Sequence, residues 1–142
     1  MSTPAKLQQI VDVMRASPKE FRVEALLDFS RRVPPLPADI AGEGLEQVHE
    51  CQTPFFVATL LDEAGRVHLY FDAPAESPTV RGFAGILLAG LDAADAHAVL
   101  GVPDDFYYGM GLEEVVTPMR LRGMGAILAR IKRQIRTSLE AA

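Results

Sequence analysis

The chain has one cysteine, Cys51, and a lone thiol is the side chain here with the clearest chemistry. It lies in LEQVHECQTPFFVATL (45–60), before a Gln-Thr-Pro turn at the edge of a predicted strand, where side chains can reach solvent. The acids Glu43, Glu46 and Glu50 precede it, and nearby acids raise the pKa of a thiol, whose thiolate is the attacking form. Two interpretations stay open, a nucleophilic thiol and a small buried residue.

His49 is the nearest candidate for a supporting role. It stands two residues before Cys51 and lies on the same face if both belong to one strand. A protonated imidazole there would offset the acids. The alternative is an exposed strand histidine with no role in the chemistry.

Other chemical signatures are missing from the sequence. It contains no glycine-rich phosphate loop, no GKS or GKT and no GxSxG. One cysteine cannot form a zinc ribbon or hold an iron–sulfur cluster by itself. The adjacent acids Asp104–Asp105 and Glu113–Glu114 point to different faces and are typical of solvated charge. We therefore expect no metal and no cofactor in this chain.

The composition is that of a globular protein, with 142 residues, 49% of them hydrophobic and 23% charged. We expect a single domain over 1–142. A single cysteine excludes an internal disulfide, and the N-terminus lacks a signal-peptide pattern, so the expected location is the cytoplasm. The longest apolar stretch, Gly82 to Leu91, has about half the roughly 20 residues that cross a bilayer. We expect no membrane association.

The charge is unevenly distributed. From Pro118 onward there are six basic residues and one acid, whereas the remainder carries 8 basic and 18 acidic residues. An acidic body argues against general nucleic-acid binding, which requires neutralisation of phosphates. The basic cluster is either the solvated side of a last helix or a docking face.

The elements that position Cys51 follow from periodicity and turn signals. Apolar spacing predicts helices over 6–16 and from Ser17 to about Val33, the second with Ser17 as N-cap. Further helices are predicted over 77–91, over a short segment capped by Asp92 and closed by Gly101, and from Thr117 to about Leu139.

Strands are predicted between these two groups of helices. Val48–Cys51 is short, 54–62 is rich in β-formers, and 66–71 alternates after the turn DEAG (62–65). Segregated strands and helices predict an α+β fold, a small antiparallel sheet of about three strands covered by helices in the order αα-βββ-α-rich.

Four segments in register resemble the SufE family of sulfur acceptors, over nearly the whole chain. LEQVHECQTPFFVA (45–58) is similar to the family's reactive cysteine in a G-C-Q-S context. AESPTVRGFAGILLAGL (75–91) looks like its V-[KR]-G and apolar helix, and TPMRLRGMGAILARI (117–131) like its [ST]-P-x-R-x-x-G helix. EFRVEALLDFSRRVPPLP (20–37) fits its helix ending in a leucine–proline segment. One departure is Glu50, where the family has glycine.

The resemblance implies a sulfur carrier that takes persulfide sulfur from a PLP-dependent cysteine desulfurase onto Cys51. It would stimulate that desulfurase and pass the sulfur to an iron–sulfur scaffold protein. Arg120 is the second residue carried over, to position the cysteine loop or to contact the partner, alongside His49. The chain would be an accessory protein with a persulfide intermediate rather than a stand-alone enzyme. The alternative is a binding or structural domain with an inert thiol, and both a monomer and a weak homodimer stay open.

Overall fold

A computed structural model of the chain describes residues 3–40 and 44–141. Glu43 lies outside these ranges. The described residues form five α-helices and one three-stranded antiparallel sheet, which confirms the α+β class and the order of helices, strands and helices. The helices are α1 (Ala5–Ala16), α2 (Lys19–Arg31), α3 (Pro78–Leu91), α4 (Ala96–Leu100) and α5 (Pro118–Ala141), and the strands are β1 (Glu46–Gln47), β2 (Phe56–Leu61) and β3 (Val67–Asp72). Two short 3-10 helices, Phe106–Met110 and Leu112–Glu114, lie between α4 and α5.

The sheet has the order β1-β2-β3, with Gln47 opposite Phe56 and Phe56 opposite Asp72. The β2–β3 hairpin closes at the predicted turn, where the Asp62 carboxylate accepts hydrogen bonds from two backbone amides and Gly65 adopts φ +78°. In β3 the buried side chains alternate as predicted, so one face of the sheet lies on the core.

α2 and α3 pack at very close range because two glycines of α3 have no side chain. A Cβ on Gly82 would lie 2.4 Å from the carbonyl oxygen of Leu26, and one on Gly85 would lie 2.2 Å from that of Phe29. Only glycine lets the two backbones approach this closely.

α5 is the long final helix predicted from the Thr117–Pro118 cap. The Thr117 hydroxyl accepts a hydrogen bond from the Arg120 amide at 3.3 Å. The helix packs against β2 through a stripe of buried side chains. Among the described residues, no helix has the length and apolar character needed to span a bilayer.

Three local predictions were wrong. The first strand is Glu46–Gln47 rather than Val48–Cys51, and residues 49–51 form a turn. A strand of two residues shows too little alternation of apolar and polar side chains for its position to be predicted. Ser17 is the C-cap of α1, and its hydroxyl donates to the Val13 carbonyl, so Pro18 occupies the N-cap of α2.

The short helix after α3 is capped by another aspartate than predicted. Asp95 caps α4 by accepting from the amides of His97 and Ala98, and Gly101 closes the helix as expected. Asp92 instead ends α3, and its carboxylate accepts a hydrogen bond from the Leu69 amide at 2.9 Å. It therefore ties α3 to the sheet.

Candidate thiol site on the cysteine loop

Cys51 lies in the connection between β1 and β2, residues 48–55, which we call the cysteine loop. The loop is closed at its base because the Val48 amide donates to the Phe55 carbonyl at 2.8 Å, and both side chains are fully buried. Inside it, the Cys51 amide donates to the Val48 carbonyl at 3.1 Å, which makes a turn directly before the thiol. The two ends of the loop are therefore fixed, and its middle carries the cysteine.

The Cys51 side chain is half-buried against α5. Its Sγ donates a weak hydrogen bond to the carbonyl oxygen of Gly123 at 4.0 Å. A Cβ on Gly123 would lie 3.2 Å from that Sγ, tighter than ordinary van der Waals contact. Because Gly123 has no side chain, the Cys51 thiol packs directly against the backbone of α5. We call this contact the glycine seat.

The thiol is poorly ionised in this position. Burial raises the pKa of Cys51 from 9.0 to about 11, and the Glu50 carboxylate adds to the rise. The guanidinium groups of Arg130 and Arg120 oppose it without cancelling it. Since only the thiolate is nucleophilic, the isolated chain holds its thiol in the unreactive form at neutral pH.

An ion-pair cluster joins the cysteine loop to α5. The Arg130 guanidinium donates to both carboxylate oxygens of Glu50, at 2.9 and 3.3 Å, and its Nε lies 3.1 Å from the Glu46 carboxylate. Arg133 also pairs with Glu46, and Gln134 donates to it at 3.0 Å. The carboxylates of Glu46 and Glu50 are therefore already paired within the molecule.

These pairs, together with the backbone amide of Glu50, keep both acids ionised. The pKa of Glu50 is lowered, first by its own backbone amide and then by Arg130. The pKa of Glu46 is lowered chiefly by the hydrogen bond from Arg133. Both carboxylates remain negative well below neutral pH, so the cluster keeps its charges where the thiol is neutral.

The residues predicted around Cys51 have different positions. Arg120, at the start of α5, lies close enough to lower the pKa of Cys51 by its charge. His49 is exposed in the turn before the thiol, and the expectation that it shares a strand face with Cys51 was wrong. Its charge acts on Glu50, the residue that separates it from Cys51.

Arg130 is the site residue that sequence reasoning missed. It belongs to the basic cluster interpreted as the solvated side of the last helix or a docking face, whereas its side chain is only 19% exposed. The signal for it was the opposite charge of two segments, acids just before Cys51 and bases after position 118. Sequence alone could not pair them, since Glu50 and Arg130 are 80 positions apart.

The other ionisable clusters serve the fold. Lys132 is buried rather than solvated, and its ammonium donates to the Val102 carbonyl and, at 2.6 Å, to Asp104. Glu114 pairs with Arg22 of α2. Within residues 3–40 and 44–141, no group of three or more histidine, cysteine or acidic side chains is placed to hold a metal ion.

The fold and the site define a class of small α+β protein that carries a single sheltered thiol on a loop between two strands. A model of the SufE family, described as an Fe-S metabolism associated domain, matches residues 8–135. The chain therefore belongs to the SufE family. This membership associates it with iron–sulfur metabolism.

Relatives support the same assignment. Uncharacterised SufE-like proteins from two strains of Mycobacterium tuberculosis are 46% identical over 135 residues, which is 95% of this chain and 94% of theirs. A chloroplastic/mitochondrial SufE-like protein of Arabidopsis thaliana is 27% identical over 123 residues, 85% of this chain and 32% of its own length. The solution structure of a hypothetical protein from Thermus thermophilus is 49% identical, with a TM-score of 0.88 over 98% of this chain and 99% of that one.

Proposed function

We propose that the chain is a sulfur acceptor and carrier that takes persulfide sulfur from a PLP-dependent cysteine desulfurase onto Cys51. It passes this sulfur to an iron–sulfur scaffold protein and stimulates the desulfurase by removing its product. The observation that carries the proposal is the position of the chain's only thiol, in the middle of a loop anchored at both ends. Membership of a family associated with iron–sulfur metabolism supports it.

The transfer step exchanges one sulfur–sulfur bond for another. The Cys51 thiolate attacks the terminal sulfur of the partner's persulfide, a new bond forms to Sγ, and the partner's own thiolate leaves. The proton lost by Cys51 is balanced by the one that the departing thiolate can take up. No external oxidant or reductant is needed, and the PLP belongs to the partner.

The resting state of the thiol suits a carrier. A neutral thiol resists oxidation because susceptibility follows thiolate character and exposure. A single cysteine also leaves no second thiol in the chain to attack the loaded persulfide and release sulfide. The partner then supplies the activation, by drawing the thiol out of its low-dielectric seat or by adding positive charge beside it.

Two further residues have proposed auxiliary roles. Arg120 contributes positive charge on the α5 side of Cys51, where it favours the thiolate and the anionic persulfide that replaces it. His49, exposed within the cysteine loop, is available to a partner that covers this face.

The second candidate is a binding or structural domain whose thiol is inert. The same burial and raised pKa favour it, because a structural cysteine is also protected. The candidates differ in whether a desulfurase can load the thiol.

The experiment mixes the chain with a cysteine desulfurase from the same genome and free cysteine, and measures intact masses. We expect the native chain to gain the mass of one sulfur atom, reversibly by dithiothreitol, and the desulfurase to turn over faster. Cys51→Ser is the first control. The second is Cys51→Ser/Glu63→Cys, which moves the thiol to an exposed turn at the far end of β2. The inert-thiol candidate would be favoured if the native chain gained no sulfur, or if the relocated thiol were loaded as fast as the native one.

A further inference from the structure

All three nitrogens of the Arg130 guanidinium contact carboxylates of this chain. Nη1 and Nη2 engage the two oxygens of Glu50, and Nε engages Glu46. Bidentate arginine–carboxylate pairs fix geometry as well as charge, because two parallel hydrogen bonds define a plane. Arg130 therefore fixes the orientation of the Glu50 carboxylate as well as its distance from α5.

These contacts link three parts of the structure. Glu46 belongs to β1, Glu50 lies in the cysteine loop, and Arg130 extends from α5. Glu50 directly precedes Cys51, whose Sγ rests against the Gly123 carbonyl, two turns of α5 before Arg130. The attraction between Glu50 and Arg130 therefore keeps the neighbouring Cys51 thiol packed against Gly123.

The two influences of Arg130 on the thiol have opposite signs. Its charge favours the thiolate, but that influence is smaller than the burial that suppresses the thiolate. If Arg130 maintains the burial of Cys51, then its removal takes away the burial, which suppresses the thiolate strongly, together with the positive charge, which favours the thiolate weakly. Loss of a positive charge would then make the thiol more reactive, the reverse of what electrostatics alone predicts.

We propose that Arg130 is a positioning residue for the sulfur-accepting thiol, and that its fork on Glu50 and Glu46 holds the cysteine loop against α5 with Cys51 sheltered over Gly123. The inference rests on the proposed function for its biological meaning. Its physical content concerns this chain alone and is measurable without a partner. In the carrier, Arg130 sets how often the thiol leaves its shelter before a desulfurase arrives.

The test measures the reaction of Cys51 with the uncharged disulfide 4,4′-dithiodipyridine at pH 8, on the full chain without any partner. We expect Arg130→Gln to react severalfold faster, as the thiolate fraction rises and access improves. Arg130→Lys keeps the charge but loses the fork, and we expect it to react faster as well. Arg136→Gln removes the same charge from an exposed position of α5 and serves as the matched control, with the rate of the native chain.

A slower or unchanged rate for Arg130→Gln would overturn the inference, and so would an Arg130→Lys rate equal to that of the native chain. Glu50→Gln also removes a charge that raises the pKa of Cys51, so it serves only as the background of a double variant, and Arg130→Lys carries the test if Arg130→Gln does not fold. With Glu50→Gln already present, Arg130→Gln should give no further acceleration, and independent accelerations that multiply would contradict a shared clamp. Failure of sulfur transfer with a normal Arg130 effect would reject the proposed function and leave this inference standing.

Discussion

Folding should slow the chemistry of Cys51 by a predictable amount. Its pKa is 9.0 in an ordinary environment and about 11 in the folded chain, so at pH 8 the thiolate fraction falls from roughly one in ten to roughly one in a thousand. The more basic thiolate is also the better nucleophile. With a Brønsted slope of about 0.4–0.5, the rise in pKa makes each thiolate about six- to tenfold more reactive. The net expectation is a folded chain that reacts roughly 10- to 15-fold more slowly than the unfolded one.

The assay is stopped-flow reaction with 4,4′-dithiodipyridine between pH 7 and 11, on the folded chain and on the chain in urea. In the folded chain the rate should keep rising about tenfold per pH unit to about pH 10, whereas in urea it should level off near pH 9. Steric shelter lowers the whole profile and leaves its midpoint in place, so the midpoint reports the pKa. A folded-state midpoint at or below that of the unfolded chain, or equal rates at pH 8, would refute a thiol kept neutral by burial.

Two glycine substitutions test the packing on either side of the site. Gly123→Ala places a methyl group 3.2 Å from the Cys51 Sγ, so the loop should shift outward and the thiol should react severalfold faster at pH 8, while unfolding in urea shows stability unchanged or raised by up to about 1 kcal/mol from helix propensity. An unchanged or slower thiol would contradict the glycine seat. Gly85→Ala meets the Phe29 carbonyl at 2.2 Å, so the free energy of unfolding should fall by about 1–3 kcal/mol, and a gain in stability would show that α2 and α3 are not in close contact.

Much of the fold could be predicted from local signals. Helical spacing located the long helices, and the turn at Asp62–Gly65 with the alternation of 66–71 located the hairpin to within two residues. The failures lie where local signals compete. Both Asp92 and Asp95 suit an N-cap, and only the contact with the Leu69 amide shows that Asp92 serves the sheet instead.

The site was half predictable for the same reason. The lone Cys51 and the acids before it stand together in sequence, so their mutual influence could be anticipated, including a raised thiol pKa. The contacts of Gly123 and Arg130 with the loop depend on how α5 crosses the sheet. The opposite charges of segments 46–50 and 130–133 indicated that crossing. Which of the six basic residues of α5 pair with Glu46 and Glu50 could be seen only in the tertiary structure.

The arrangement also explains how a thiol can be presented and protected by one loop. Val48 and Phe55 anchor the loop in the core, so the movable part is limited to the residues between them. The contact of Arg130 with Glu50 acts within this movable part of the loop. It is an ion pair to a partly exposed carboxylate, and such pairs are weak enough to be exchanged for contacts with a partner. Release of the thiol therefore does not require the sheet or α5 to rearrange.

The most direct test of the central claim is a single-turnover transfer. A desulfurase from the same genome is charged with ³⁵S from labelled cysteine, freed of excess cysteine, and mixed with the chain. We predict that the label moves to the chain at one sulfur per molecule, is released by dithiothreitol, and is absent from Cys51→Ser. Label that stays on the desulfurase, or that appears equally on Cys51→Ser, would contradict the assignment of Cys51 as the sulfur acceptor.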